Sequence, residues 1–437
     1  MPYLRIQHVL TSERKHQVGV RGKVAVRKVV LGNGLTLLIR SNHSTPIVAF
    51  QAYLRGGVRS ELPSRSGLTH FTQRTLIKGT QTLTAQELAE ETENLGSFLH
   101  SFTGKDTFGL SMTLLSKYVE RGAEILADCI RNPRFDPEEV GKERNLIVAQ
   151  IERNRDEFPH YTMDLCEKVI FARHPYRLSL FGEIETIGNL GRDDLIQWHK
   201  RYYVPWNLVI AVVGDIKADR AISVFDKAFG GFAGGPVHDK EPVREAPAKK
   251  ARELIEERDK KQVSLVLGFR AASLGSPDYF ACQVLNAVLS GMGSRLFIEL
   301  RDKQGLAYSI SSLYEARLDY GVFKAYMGTS PEQEVQAKEG LLIELNKVRQ
   351  KTVGKDELDR ARKYMLGLYE ISLQRNSSQA ARYALYEILG VGYHFLDEYP
   401  ARVKEVTARQ VKTAAEKYLD TDHPCIALVR PSRASKG

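Results

Sequence analysis

Residues 67–80, GLTHFTQRTLIKGT, come closest in type and spacing to a metal site, because His70, Gln73 and Arg74 stand at positions i, i+3 and i+4. On a helix, two histidines at i and i+4 share a face and can hold zinc, while a glutamate at i+3 serves as the base. Here Arg74 stays protonated and offers donors where a metal needs lone pairs, and Gln73 is neutral and cannot act as a base. The segment therefore predicts no ordinary catalytic zinc site.

A second candidate for chemistry is the pair Arg301 and Tyr308, which lie seven residues apart in SRLFIELRDKQGLAYS. The planar fork of an arginine can bind a substrate carbonyl or carboxylate. A tyrosine hydroxyl can donate a hydrogen bond to the oxyanion that forms when water attacks a peptide carbonyl. Taken in isolation, the same pair is more typical of a cation at a helix end and a surface tyrosine on a strand.

Together these segments resemble the pitrilysin/insulinase (inverzincin) family of zinc peptidases, whose motif typically reads Gly-Leu-x-His-Phe-x-Glu-His and is followed by Lys-Gly-Thr. His70 matches the first histidine, whereas Gln73 and Arg74 stand where the family has its base and second histidine. Gln150 stands where the third zinc ligand, a glutamate, is expected, and Glu143 matches the acid that supports it. The resemblance therefore implies a degenerate zinc motif and no metal in this chain.

The resemblance also implies a role for the second candidate. Arg301 and Tyr308 match, in identity and spacing, an Arg/Tyr pair of the family that reaches across to the zinc site. In single-chain members the pair and the zinc lie in opposite halves of the molecule, so in two-chain members they can lie on different subunits. We therefore expect both residues to act in the active site of a partner chain.

Residues 96–103, GSFLHSFT, resemble the edge strand of the family, along which a peptide can add as a further strand. Phe98, His100 and Phe102 are accordingly the candidate substrate-binding residues. Neither His100 nor the histidines that follow it form a ligand pair with His70 at helical spacing. We expect these to be surface or capping histidines.

The chain reads as two similar halves around a break at residues 230–251. That stretch is rich in glycine, proline and charge and has no apolar periodicity, which is typical of a linker. Late in each half, a helix precedes a buried strand, and one fold, duplicated, explains this best. The paired segments are 192–203 with 207–214 and 408–419 with 424–429. The predicted arm, first domain, linker and second domain are residues 1–24, 25–229, 230–251 and 252–437.

Other segments add strands and helices in irregular alternation, which favours an α+β fold of two homologous sandwich domains over a doubly wound sheet. The further predicted strands are 35–40, 47–54, 108–114, 263–269 and 320–331. The further predicted helices are 85–95, 119–131, 136–152, 281–289, 355–370 and 378–389.

Composition is that of a globular protein, with 43% hydrophobic and 27% charged residues. The net charge is +10, but basic residues are interleaved with acids, and residues 253–261 read as a solvated mixed face. No nucleic-acid-binding motif is present, so we expect no nucleic acid partner. No apolar run of about 18 residues predicts a membrane span. The basic first 24 residues lack the apolar centre of a secretory signal, and a cytoplasmic location is the simpler interpretation.

The four cysteines, Cys129, Cys166, Cys282 and Cys425, are widely separated and lie in apolar stretches. This spacing favours small core residues over a disulfide framework or a structural zinc site.

These expectations lead to one main hypothesis and a rival from another class. The resemblance implies a non-zinc-binding subunit of a heterodimeric peptidase, inactive alone, whose homologous partner carries an intact zinc motif and whose substrates are peptides. The rival is a catalytically inert subunit that is structural or presents a peptide for maturation. A core position for Arg301 and Tyr308, away from any cavity, would favour the rival.

Overall fold

The computed structural model describes residues 25–237, 241 and 243–432. The predicted arm of residues 1–24 lies outside this range. The strands are β1 Arg27–Val30, β2 Thr36–Ser41, β3 Ile47–Arg55, β4 Leu99–Thr103, β5 Thr107–Leu115, β6 Leu208–Gly214, β7 Arg252–Arg258, β8 Val263–Ala271, β9 Ser309–Glu315, β10 Gly321–Thr329 and β11 Cys425–Pro431. The helices of the first half are α1 Leu68–Leu76, α2 Ala85–Asn94, α3 Val119–Arg131, α4 Pro137–Asp156, α5 Phe158–Ile170, α6 Ile184–Asn189, α7 Arg192–Tyr202 and α8 Ala218–Phe229. Those of the second half are α9 Tyr279–Leu289, α10 Glu334–Gln350, α11 Lys355–Ser372, α12 Asn376–Ile388, α13 Phe395–Glu405 and α14 Ala408–Tyr418.

The strands form two sheets with the same topology. The first has the order β1-β2-β6-β3-β5-β4 and the second β7-β11-β8-β10-β9. In each sheet one pair is parallel, β2 with β6 and β7 with β11, and the other pairs are antiparallel. Apart from β1, every strand of the first sheet therefore has a counterpart in the second, as the internal repeat predicted, and the α+β fold class is confirmed.

Central strands are mostly apolar and buried, whereas the edge strand β7 alternates in exposure. β6 (LVIAVVG) and β10 (GVFKAYMGT) are buried along their whole length, because helices cover both of their faces. β7 (RELIEER) alternates between exposed and half-buried side chains, as an edge strand does. The solvated mixed face expected at residues 253–261 is therefore largely an edge strand, along which alternate side chains are exposed.

Helix α5 of the first half packs on β8 and β11 of the second sheet. Gly268 permits this close approach, because a Cβ there would lie 2.3 Å from the Sγ of Cys166 and 2.7 Å from the Cδ1 of Ile170. The sequence did not predict that α5 covers the sheet of the other half, since an amphipathic helix does not specify which sheet it covers.

Helix α12 of the second half makes the reciprocal contact with β3 and β6 of the first sheet. Ala380 and Ala384, both fully buried, belong to one apolar cluster with Ala211 and Val213 of β6. Each half thus supplies one helix that the sheet of the other half needs for its outer face.

The segment between the halves has no helix or strand in the described part of residues 232–251. The domain boundaries proposed from the sequence stay a prediction. All four cysteines are buried free thiols, which confirms their core positions. Among the described residues, no helix is both long and apolar enough to cross a bilayer.

Candidate functional site

The start of α1, the helix that carries the degenerate zinc motif, is held by a buried carboxylate. Glu61 accepts hydrogen bonds from the backbone N–H of Gly67 at 2.8 Å and of Thr69 at 2.7 Å. Gly67 precedes the helix with φ at +89°, and a Cβ there would lie 2.7 Å from the carbonyl oxygen of Phe181. The entry of α1 is therefore fixed by contacts that leave little room for another backbone path.

His70 lies on α1 with its imidazole packed edge-on against Phe181, the ring centroids 5.0 Å apart. Its Nε2 is buried and has no hydrogen-bond partner in the described part of the chain. Burial and the nearby charge of Arg74 lower the pKa of His70 to about 4, and an interaction with the side chain of Gln150 opposes the shift. The ring is therefore neutral at neutral pH.

Arg74 forms an ion pair where the family has its second histidine. Its Nε lies 2.9 Å from Glu143 Oε2 on α4, and the Nζ of Lys78 lies 3.1 Å from Glu143 Oε1. The Glu143 side chain is 1% exposed, whereas those of Arg74 and Lys78 are 39% and 33% exposed. Two partly exposed cations thus share one buried carboxylate, which leaves one net positive charge.

Gln73 is buried between α1 and β5. In the amide orientation that pairs both of its ends, it donates to the carbonyl oxygen of Gly109 at 3.2 Å. Its oxygen accepts from the Gly109 N–H at 3.3 Å and from the Tyr203 hydroxyl at 2.9 Å. Burial raises the pKa of Tyr203 well above its usual value, so the hydroxyl keeps its proton. Gln73 therefore fastens the helix to the sheet.

The four positions of the degenerate motif do come together, but their chemistry does not suit a metal ion. Gln150 on α4 is part-exposed beside His70 and supplies a neutral amide, and Arg74 supplies a cation. Across the described ranges, no group of three or more His, Cys, Asp or Glu side chains is placed to hold a metal. The donor set does not fit zinc, whose sites need several neutral or anionic lone pairs.

The predicted edge strand is β4, which pairs with β5 at the end of the first sheet. Phe98, just before it, is 67% exposed, and its ring centroid lies 6.1 Å from that of His100, which is also exposed. Phe102 is half-buried against Tyr53, with the ring centroids 4.5 Å apart. The outer edge of β4 is therefore available for backbone pairing, with two exposed rings beside it.

Arg301 lies in a π-helical segment, Phe297–Lys303, and is exposed with its guanidinium 4.8 Å from the ring of Phe297. Tyr308 is 58% exposed, immediately before the edge strand β9, and its N–H donates to the carbonyl oxygen of Gly328 at 2.9 Å. Neither residue is buried in a core. The π-helix was not predicted, and such segments are frequent at functional sites.

Sequence reasoning also missed a buried ionic cluster where the halves meet. Glu167 on α5 pairs with Lys105 at 2.8 Å, with Arg317 at 2.5 and 3.1 Å, and with Lys324 at 2.5 Å. Burial alone would raise the pKa of Glu167, but the three cations outweigh it and hold the pKa well below its usual range. Burial lowers the pKa of Lys105, which the charge of Glu167 partly offsets. Nothing in the local sequence distinguishes these residues as buried, because Glu, Lys and Arg also occur on protein surfaces.

The fold and the motif positions define a peptidase-type scaffold. Two family models match the chain: the insulinase model of peptidase family M16 at residues 36–183, and the M16 inactive-domain model at residues 189–365. The chain therefore belongs to the insulinase (M16) peptidase family.

Relatives in this family span nearly the whole chain. YmxG of Bacillus subtilis, called an uncharacterized zinc protease, is 29% identical over 408 residues, covering 93% of this chain and 98% of its own. The uncharacterized zinc protease SCO5738 of Streptomyces coelicolor is 26% identical over 420 residues, covering 94% and 91%.

Solved structures share the fold. A protease from Helicobacter pylori superposes with a TM-score of 0.87 at 21% identity, covering 94% of this chain and 100% of that one. A peptidase M16 inactive domain from Pseudomonas fluorescens gives a TM-score of 0.86 at 22% identity, with the same coverage. These likenesses confirm the M16 fold.

Proposed function

We propose that this chain is the non-zinc-binding subunit of a heterodimeric M16 metallopeptidase. It would be inactive alone and would supply Arg301, Tyr308 and part of the peptide-binding chamber to a homologous partner that holds the zinc. The observation that carries the proposal is the Arg74–Glu143 ion pair at the motif, which replaces metal ligands, while Arg301 and Tyr308 remain exposed. A cytoplasmic location belongs to the same proposal.

The exposed pair has the chemistry that a partner's active site would use. The Arg301 guanidinium makes no ion pair with a described carboxylate within 4.0 Å, so its fork is available for a substrate carbonyl. The Tyr308 hydroxyl can donate to an oxyanion, and its place beside β9 gives it a rigid support. Peptide backbone would pair with the open edge of β4, where Phe98 and His100 offer side-chain contacts.

The alternative is an inert subunit that is structural or only presents the peptide. It agrees with the ion pair at the motif and with Gln73 as a structural link, but it assigns no role to Arg301 and Tyr308. The two functions differ in what happens to a complex when that pair is removed.

The test co-expresses this chain with a zinc-motif homologue from the same genome and measures peptide hydrolysis and zinc content for each chain and for the complex. We expect chelator-sensitive hydrolysis by the complex alone. Arg301→Ala and Tyr308→Phe should lower kcat by about 100-fold without dissociating the complex, as loss of an oxyanion donor does.

The matched controls are Arg409→Ala, an exposed arginine on α14, and Tyr364→Phe, a 52% exposed tyrosine on α11. Both should leave kcat unchanged. A stable complex whose hydrolysis is indifferent to Arg301 and Tyr308 would support the inert subunit instead. Turnover and stoichiometric zinc in the lone chain would refute both functions.

A further inference from the structure

The degenerate motif presents an electropositive centre on the helix that would carry the metal in an intact member. Arg74 and Lys78 contribute two positive charges, and Glu143 removes one. Because Glu143 is 1% exposed while the cations are more than 30% exposed, solvent and ligands meet the positive groups and not the carboxylate. The centre therefore attracts a single negative charge.

This centre has unused hydrogen-bond donors. Among the described residues, Arg74 is bonded through its Nε, which leaves the two terminal guanidinium nitrogens to donate outward. Lys78 contacts one oxygen of Glu143 and keeps further N–H groups. His70 lies one turn before Arg74 on the same face, and its buried Nε2 has no partner in the described chain. One buried nitrogen without a partner thus lies beside two part-exposed cations that have unused donors.

We propose that this centre is a carboxylate-binding site, which holds an acidic group of the bound peptide without hydrolysing it. The ligand is either the C-terminal carboxylate of the peptide or an Asp or Glu side chain within it. An arginine fork matches the two oxygens of a carboxylate, and the single net charge matches its single negative charge. With Gln73 occupied by Gly109 and Tyr203, the site has no base to activate water.

The inference rests on the proposed function, since it names the group of the peptide substrate that this chain binds, but it is tested on the chain alone. The probe is an octapeptide of Ala, Ser, Thr and Val, labelled at its N-terminus with an uncharged fluorescent dye, in three forms: free C-terminus, C-terminal amide, and amide with one internal Glu. Fluorescence anisotropy gives Kd. We expect at least one acidic form to bind about tenfold more tightly than the plain amide.

Two variants that change the net charge of the centre in opposite directions test whether that charge determines binding. Arg74→Gln brings the centre to zero net charge and should abolish the preference for the acidic form, whereas Arg74→Lys should keep part of it. Glu143→Gln raises the net charge to two and should strengthen acidic binding several-fold, so the test survives if Arg74→Gln fails to fold. Arg409→Gln is the control and should change nothing.

The three peptide forms distinguish the possible ligands. Tighter binding of the free-terminus peptide alone assigns the site to a terminal carboxylate, and tighter binding of the Glu peptide alone assigns it to a side chain. Equal affinity for all three forms, or a preference that Arg74→Gln and Glu143→Gln leave unchanged, would overturn the site. It would leave the composite active site untouched, because that is measured in the complex.

Discussion

Replacing Glu167 by glutamine should destabilise the whole chain, because this carboxylate contacts three buried cations at the junction of the halves. The side chains of Glu167, Lys105, Arg317 and Lys324 are at most 8% exposed. Glutamine has nearly the same size, so the substitution removes the charge and leaves the packing. Arg317 then keeps its ion pair with Glu315, whereas Lys105 and Lys324 lose the carboxylate that they contact directly.

The magnitude follows from competing electrostatic terms. At an effective dielectric of 20, one pair of charges 4 Å apart attracts by about 4 kcal/mol, so three pairs give about 12 kcal/mol before desolvation. In the wild type, the cost of removing these charges from water offsets most of this attraction. The cost for the cations remains when the anion alone is removed. Breaking one buried pair typically costs about 3–5 kcal/mol, and we expect Glu167→Gln to lower the free energy of unfolding by about 4 kcal/mol.

The assay is urea unfolding followed by fluorescence and circular dichroism. The control is Glu256→Gln on β7, because Glu256 also links α5 to the second half, through Tyr161 at 2.9 Å, but is 30% exposed. A pair exposed to that degree contributes about 1 kcal/mol or less. Glu167→Gln should therefore shift the unfolding midpoint several times more than Glu256→Gln.

The pH dependence has a definite sign. The pKa of Glu167 is depressed in the folded chain, so its stabilisation is complete above its unfolded pKa of about 4.3 and is lost as pH falls towards the folded pKa. The difference between wild type and variant should thus shrink below about pH 4. It should also shrink at alkaline pH, where Lys105, whose pKa is lowered by burial, can release its proton in the variant. Equal unfolding midpoints for wild type and Glu167→Gln at pH 7 would refute the reasoning.

Three further predictions concern the close helix contact and the motif. Gly268→Ala should destabilise the chain by about 1–3 kcal/mol, since its methyl group would overlap α5, whereas Gly367→Ala on α11, with nothing within 4 Å, should stabilise it by about 0.5–1 kcal/mol in the same urea assay. Gln73→Glu should lower stability at pH 7 by about 1–3 kcal/mol, because a carboxylate cannot donate to the β5 carbonyl, and the loss should diminish as the pH falls and the buried acid is protonated. Arg74→His combined with Gln150→Glu should gain one equivalent of zinc that survives dialysis, measured by plasma mass spectrometry, while the wild type retains none.

Each of these predictions has a contradicting result. A neutral Gly268→Ala would mean that α5 can move away from the sheet without loss. A Gln73→Glu variant as stable as wild type would mean that the link to β5 contributes nothing. Stoichiometric zinc in the wild type would contradict the interpretation of the motif.

Much of the fold was predictable because its elements have strong local signals. The helix predicted at 119–131 is α3, and the strand predicted at 47–54 is β3 with one residue more. The edge position of β4 followed from the resemblance. The exchange of α5 and α12 was not predictable, because hydrophobic periodicity marks a buried face but not the partner that buries it.

At the site, the residue types could be read from the sequence, but the partners that each residue contacts could not. The types of Gln73 and Arg74 are enough to predict that neither serves as a base or a zinc ligand. Their actual partners, Gly109 and Glu143, depend on contacts across 36 and 69 residues of chain, which no local pattern encodes. The cluster around Glu167 was missed for the same reason, since a charged residue looks the same whether its counter-ions are water-exposed or buried.

The exchange of α5 and α12 between the halves suggests how a duplicated chain of this kind can arise. A half-length chain with this topology would leave one sheet face bare, and a second copy would have to cover it with its own α5-type helix. Two such copies would close on each other through a twofold axis as a swapped dimer. The present molecule has the form of that dimer with its copies joined head to tail. Each half is therefore held to the shape that the other half requires.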